Sequence, residues 1–499
     1  MLLTNVRLFD GVDLLGSRSV LVRDGLVADV DAPSDVPGEA VIDGGGATLL
    51  PGLIDAHTHL WEEWAPRQTA VFGVTTALDM FTPPQVAKSW CGPTDVRRSS
   101  YPATAPGGHC TEYGFEVPTL TDPRQALSFV DARLDEGADH IKVICETSRG
   151  RQYSLAPEVI AAVVDAAHRR GVLAVAHATT AADATDALTA GVDALMHVPV
   201  DDARGVMAGP GRVLVPTLAA LRAAFPPTRR PDVLDDVDLA SLLDFDSTQL
   251  LSQTWRLPRH LSYANAVVNV RAAVESGWTI LAGTDTGNPG TAPGVSMHDE
   301  LALLVAAGLT PPAALRAATA DAADAFGLTD RGRIAAGMRA DLLLVDGDPT
   351  LDIRCTRRIR DVWIGGVKIA RDRVEHPALP KFRPGRVLAP GRDVDAVVAE
   401  PTGFRRHRAG VSAPVDADLT EATTLTITGR AERPVTVSVT LTAGALQASV
   451  EIELAATDRR HVLELGDFTG IDLRRVRSLE LMLSSPGRCR FHLADVRFD

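Results

Sequence analysis

Residues 172–198 read VLAVAHATTAADATDALTAGVDALMHV. The apolar run LAVAH has strand character and stops at His177. TAADATDALTAG has helical composition and ends on a glycine, a common helix stop. A second apolar run, DALMH, stops at His197. Two strands joined through a helix lie parallel in one sheet. Both then present a histidine where the strand runs out.

The same alternation extends outward from about residue 51 to 327. HIKVICE precedes APEVIAAVVDAAHRRG, RVLVPTL follows the quoted stretch, and SYANAVVNVRAAVESG leads into WTILAGTD. Eight such units fit this length, which predicts a (β/α)8 barrel, a TIM barrel, over 51–327. A doubly wound open sheet is the alternative, but no Gly-rich phosphate loop follows an early strand. Short alternating strands with Asp-Gly turns fill residues 1–50, and strands return over 328–375. Together these ends predict one small composite β-domain. Residues 376–403 are rich in Pro, Gly and Arg and read as a linker. Residues 404–499 alternate in VTVSVTLTAG and SVEIEL, which predicts a separate antiparallel β-sandwich.

Composition narrows the partners. The 499 residues carry a formal net charge of -14. That argues against nucleic acid and anionic membrane, which need a basic face. A small-molecule substrate is expected, and the sequence leaves a homo-oligomer open. No apolar run approaches the ~20 residues of a membrane span. The N-terminal MLLTNVRLFDG reads as a strand rather than a signal peptide. The five cysteines are scattered with no Cys-x-x-Cys pair, so neither a disulfide framework nor a cysteine-rich zinc site is expected. A reducing cytoplasm is the default.

PGLIDAHTHL ends a strand with His57 and His59, and a strand's period of two sends both imidazoles to one face. His177, His197 and Asp285, which closes WTILAGTD, stand at other strand ends. In a barrel those ends converge on one mouth, giving a nitrogen/oxygen set suited to a divalent metal. Lys142 sits inside the apolar run HIKVICE, although lysine is rarely buried without a partner. Read from residues alone, it either points outward, pairs with Glu146 or Asp139, or joins the metal set.

The chain resembles the amidohydrolase superfamily, in its imidazolonepropionase-like and prolidase-like branch. The resemblance covers about residues 1–375. It rests on VIDGGGATLLPGLIDAHTHL, HIKVICETSRGRQYS, VAHATTAADATDALTAGVDALMHV, LAGTD and GRIAAGMRADLLLVDGDP. It implies that His57, His59, His177, His197 and Asp285 are metal ligands. It further implies that Lys142 is carboxylated by carbon dioxide and bridges two divalent ions, zinc foremost, with manganese or cobalt as options. A desolvated lysine near cations loses its proton more readily, and the resulting carbamate offers one oxygen to each metal.

Two cations ~3.5–4 Å apart would hold a bridging hydroxide and polarise a carbonyl. Asp285 is then the candidate proton shuttle. His109, in APGGHC, and Arg149 and Tyr153, in ETSRGRQYS with Arg151 between them, are candidate substrate contacts in loops. His298 reads either as a residue behind the metal ligands or as a helix-cap residue, with the cap favoured, and His140 and His168 as structural or exposed. Residues 216–265 read as a long loop after strand seven and a candidate lid. After strand two the family's usual helical run and Gly-Pro-Arg phrase are missing; CGPTDVR only approximates it. The C-terminal segment resembles jelly-roll, carbohydrate-binding-like modules, yet all six Trp and all four Tyr precede residue 379. The expected function is metal-dependent hydrolysis of an amide or peptide C–N bond in a dipeptide, N-acyl amino acid or cyclic amide. The alternatives are a lactonase, a metal-dependent lyase or cyclase, and a catalytically silent binding protein.

Overall fold

Five short strands open the chain: β1 (Leu2–Phe9), β2 (Leu14–Arg23), β3 (Leu26–Asp29), β4 (Val41–Asp43) and β5 (Thr48–Pro51). The turn between β1 and β2 is set by Asp10, whose carboxylate accepts from the amides of Val12 and Asp13. The computed structural model describes residues 1–374 apart from 112, 114, 115, 148, 149, 210, 211, 226–230, 256, 258 and 259. It also describes 392–398 and 410–499, apart from 444, 445 and 484–486. The chain divides into two units, Met1–Val374 and Glu375–Asp499.

Eight parallel strands follow: β6 (Leu53–Thr58), β7 (Val74–Asp79), β8 (Asp95–Arg98), β9 (Ile141–Cys145), β10 (Ala174–Ala178), β11 (Ala194–Met196), β12 (Val213–Val215) and β13 (Thr279–Ile280). They form a three-stranded and a five-stranded sheet. Hydrogen bonds join the two at both seams. Ala103, beyond β8, exchanges bonds with Lys142 and Ile144 of β9; Ala56 of β6 donates to Ala282, and Asp285 donates to His57. The ring is a TIM barrel. Strands β6, β7, β9, β10 and β11 are buried on both faces, hence their largely apolar runs.

The helices between them follow local chemistry. Pro157 opens helix Pro157–Arg169, whose Val159, Ile160, Val163 and Val164 face the core. Thr180 caps helix Ala181–Thr189 by accepting from the amide of Asp183. After the barrel come β14 (Leu342–Val345), β15 (Ile359–Ile364) and β16 (Val367–Lys368). They join the opening strands in one sheet, ordered β16-β15-β14-β5-β1-β2-β3 with β4 on β1. Leu3, Val6 and Leu8 pack there with Leu342, Leu344 and Trp363.

Three expectations need correction. Residues 216–265 are not a structureless loop. They hold helices Leu218–Ala223, Val237–Ser241 and Phe245–Ser252, and Val233, Leu239, Leu243 and Leu251 are buried with Trp64 and Phe72. The apolar spacing of this stretch builds a core of its own, which a lid reading overlooks. His298 is not a cap. It lies within helix Ser296–Ala307, buried, with its ring nitrogens 3.1 Å from Thr356 Oγ1 and 3.1 Å from the Phe72 carbonyl. Residues 392–398, assigned to the linker, form β17 (Arg392–Val398), which pairs with the chain's last strand. The rest of the proposed 376–403 linker lies outside the described residues.

In the second unit β17 is followed by β18 (Gly410–Ala417), β19 (Thr424–Ala431), β20 (Val435–Ala443), β21 (Leu446–Leu454), β22 (Arg459–Glu464), β23 (Val476–Leu483) and β24 (Gly487–Phe498). Two four-stranded antiparallel sheets result, β17-β24-β19-β22 and β18-β23-β20-β21. Val435, Val437, Val439 and Leu441 are buried along β20, as the period-two pattern dictates. Among the described residues, no helix is long and apolar enough to cross a membrane.

Candidate metal centre

Alternation along β9 decides where Lys142 goes. Ile141, Val143 and Cys145 pack with Val159, Ile160 and Val163 of the covering helix. Lys142 therefore faces the opposite side, the barrel interior. The same holds on β10, where Ala174, Ala176 and Ala178 join the helical layer and Val175 and His177 turn inward. Lys142 is 2% exposed, and among the described residues its Nζ has no hydrogen-bond partner. Glu146 and Asp139 are engaged elsewhere, Glu146 with His177 and Thr179, Asp139 with the Arg98 amide.

Asp285 is the hub. His59 Nε2 lies 3.2 Å from its carboxylate, His57 Nε2 3.4 Å and His197 Nδ1 3.8 Å. The His197 ring is 4.7 Å from that of His57 and 4.6 Å from that of His177. Ligand atoms of His57, His197 and Asp285 all lie within 4.8 Å of one another. The backbone bends sharply to achieve this: His197, Thr217 and Asp285, at the ends of β11, β12 and β13, have φ of 75°, 54° and 52°. Left-handed conformations cost non-glycine residues energy and cluster at functional sites. Gly283 allows the close approach of β13's continuation to β6, because a Cβ there would lie 2.9 Å from the His57 Cβ.

The neighbours of each ring assign its tautomer. His59 Nδ1 donates to the Phe81 carbonyl at 3.2 Å, leaving the Nε2 lone pair toward Asp285. The Thr217 hydroxyl donates to the Pro216 carbonyl, so it accepts from His197 Nδ1 at 2.7 Å and leaves Nε2. His177 Nε2 donates to Glu146 at 3.1 Å, leaving Nδ1. Such outer bonds orient an imidazole for a cation. Both ring nitrogens of fully buried His57 lack a hydrogen-bond partner among the described residues. Burial holds His57 and His197 well below the usual imidazole range, with the charge of Lys142 adding to the effect. Burial lowers His177 to about 4, against the pull of Glu146. Burial also brings Lys142 down to about 8, opposed chiefly by Asp285. Neutral imidazoles, a carboxylate and a readily deprotonated amine make a donor set that fits divalent cations.

The substrate candidates divide. The His109 ring lies 4.7 Å from that of His177, at the edge of the cluster. Tyr153 ends a 3-10 turn, Arg151–Tyr153, and is half-buried. Arg151 is exposed and ion-paired with Asp186 at 3.5 Å. Arg149 lies outside the described residues. His140 is buried edge-on to Phe326, and His168 is exposed and paired with Asp193.

Sequence reasoning passed over three supports. Glu146 orients His177, and Thr217 orients His197. Asp55, wholly buried, accepts from the amides of His57 and Thr284 and from the Thr284 hydroxyl, tying β6 to the Asp285 segment. Burial raises its carboxyl to about 7. The visible signal was an acidic residue inside the apolar run GLIDAH.

A family model named Amidohydrolase family matches residues 48–369. The chain belongs to the amidohydrolase family. It is 28% identical over 402 residues to an imidazolonepropionase from Deinococcus deserti, covering 71% of this chain and 92% of that protein. A Xaa-Pro dipeptidase solved with methionine in its active site superposes with TM-score 0.60 at 23% identity, covering 74% of this chain and 98% of the other. A putative prolidase from Bifidobacterium longum gives TM-score 0.58 at 27% identity, covering 75% and 96%. This amidohydrolase is an enzyme, a hydrolase acting on carbon–nitrogen bonds. Its second unit lies beyond the family match.

Proposed function

We propose that the enzyme hydrolyses an amide or peptide bond of a small molecule, of the dipeptide, N-acyl amino acid or cyclic amide class, at a two-metal centre. His57, His59, His177, His197 and Asp285 would hold the metals, with Lys142 as a bridging carbamate. The observation that carries this reading is the set of buried nitrogens on His57 and Lys142, left without hydrogen-bond partners beside Asp285. A buried polar group without a partner is costly, and a cation removes that cost. The Lys142 amine, in its neutral form, adds to carbon dioxide and releases a proton, giving an anion with two donor oxygens. Bound divalent ions would supply Lewis acidity toward the scissile carbonyl and acidify the attacking water.

The chain's own residues do the rest. Asp285 takes the proton of the attacking water and returns it to the leaving nitrogen. Glu146 and Thr217 hold the His177 and His197 rings in the tautomers that face the centre. His109 and Tyr153, in loops at the mouth, contact substrate, and Arg149 is assigned the same role from its place in the sequence. Residues 51–327 are read as the catalytic domain, 1–50 with 328–375 as a small β-domain, and the strands from β17 onward as an accessory sandwich. The test is turnover by zinc-, manganese- and cobalt-loaded protein on dipeptides, N-acyl amino acids and cyclic amides. Turnover of one class that Asp285→Asn abolishes is expected. No turnover by any loaded form would overturn the reading.

A further inference from the structure

An arc of aromatic rings starts and ends on the candidate metal ligands. The Trp61 indole stacks on the His59 ring, centroids 5.5 Å apart and planes 10° apart. Phe81 meets Trp61 edge to face at 5.2 Å. Tyr113 closes on both, 6.1 Å from Trp61 and 6.2 Å from Phe81, and stands 5.7 Å from His109. His109 returns the arc to His177. The rings come from the loops after β6, β7 and β8, so they border one side of the barrel mouth.

The support under the arc is buried and closely packed. Phe81 is 1% exposed, and its carbonyl holds the His59 ring. Gly287, in the loop that carries Asp285, has φ +97°, and a Cβ there would lie 2.6 Å from the Trp61 indole nitrogen. Only a glycine lets that loop lie flat against the indole. Tyr113, at 42%, is the only aromatic among the large hydrophobic side chains that are exposed in the described residues. An exposed ring, packed on other rings and continuous with a catalytic cluster, is placed to meet a flat apolar group.

We infer that the substrate carries an aromatic ring, on either the acyl or the amine side of the scissile bond, and that this ring seats against Tyr113 and Trp61. The inference rests on the hydrolase reading above and adds its substrate class. The metal-loaded full chain is assayed on matched pairs: N-phenylacetyl against N-acetyl amino acids, and anilides against alkylamides. Wild type should favour the aryl member of at least one pair. Tyr113→Ala should lower kcat/KM for that member roughly tenfold while changing the aliphatic member less than about twofold. Tyr113→Phe, which keeps the ring, should retain the preference. Calorimetric binding of phenylacetate against acetate gives a readout independent of turnover. Turnover without an aryl preference, or equal losses on both members, overturns the aromatic subsite and leaves the hydrolase reading standing. Tyr113-dependent phenylacetate binding without turnover of any amide overturns the hydrolase reading alone. Neither binding nor turnover overturns both.

Discussion

Strand β20 of the C-terminal sandwich and strand β9 of the barrel are both well buried, yet they follow opposite rules. Along β20 the side chains at 435, 437, 439 and 441 are valine or leucine, and the neighbouring β21 sends Gln447, Glu451 and Glu453 outward. The apolar side chains there all turn into the core. In β9 a lysine is sealed inside with no hydrogen-bond partner among the described residues, and the segments that follow β11 and β13 of the same sheet carry a left-handed histidine and a left-handed aspartate. Departures of this kind concentrate where a fold carries function. The barrel mouth should therefore respond to substitution in chemistry and metal content, and the sandwich in stability.

The largest effect is expected at Asp285. Asp285→Asn keeps a ligand atom but removes the proton acceptor, so kcat should fall by ~10³-fold while metal content holds. Steady-state kinetics beside metal analysis checks this; retained turnover would remove the shuttle role. Lys142→Ala should deplete both metals, and added bicarbonate should not restore them unless a short carboxylic acid is also supplied. Glu146→Gln weakens the anionic partner of His177 and should reduce metal affinity by ~10–100-fold, measured by competition with a chelator. Leu441→Ala, at a wholly buried sandwich position, should cost ~2–5 kcal/mol in denaturant unfolding and leave kcat unchanged. A comparable loss of kcat in the folded variant would break the contrast.

The smallest effect is a pH slope. Burial raises the Glu300 carboxyl from 4.5 to about 8, against the Ala219 amide that donates to it. Between those values the folded chain holds a proton that the unfolded chain has lost, so Glu300's stabilisation is full below about pH 4.5 and is lost as pH rises toward 8. Glu300→Gln is neutral throughout. Its stability relative to wild type should rise from pH 5 to pH 8 in thermal unfolding; a constant difference would contradict the assignment.

The barrel is legible in the sequence because strand–helix alternation is local and repeats. The strand-end positions of His57, His177, His197 and Asp285 follow from where apolar runs stop. Glu146 and Thr217 were not legible, because their roles depend on ring orientation and on backbone twist past the strand ends. His298 misled for a similar reason: its partners, Phe72 and Thr356, are distant in sequence. The alternation in RDVDAVV did signal β17, but the Pro, Gly and Arg around it drew the segment into the linker. In residues 216–265, helices of five to eight residues escape a periodicity reading suited to longer ones.

The central claim is that the buried mouth of the barrel, with Lys142 inside it, is a two-metal centre. Its most direct test is the divalent metal content per chain of the full-length protein after metal-replete expression and gel filtration, measured by plasma mass spectrometry. The account predicts about two ions per wild-type chain and fewer than about one in Lys142→Ala. A wild-type chain that holds none, or a Lys142→Ala chain with wild-type content, would contradict it.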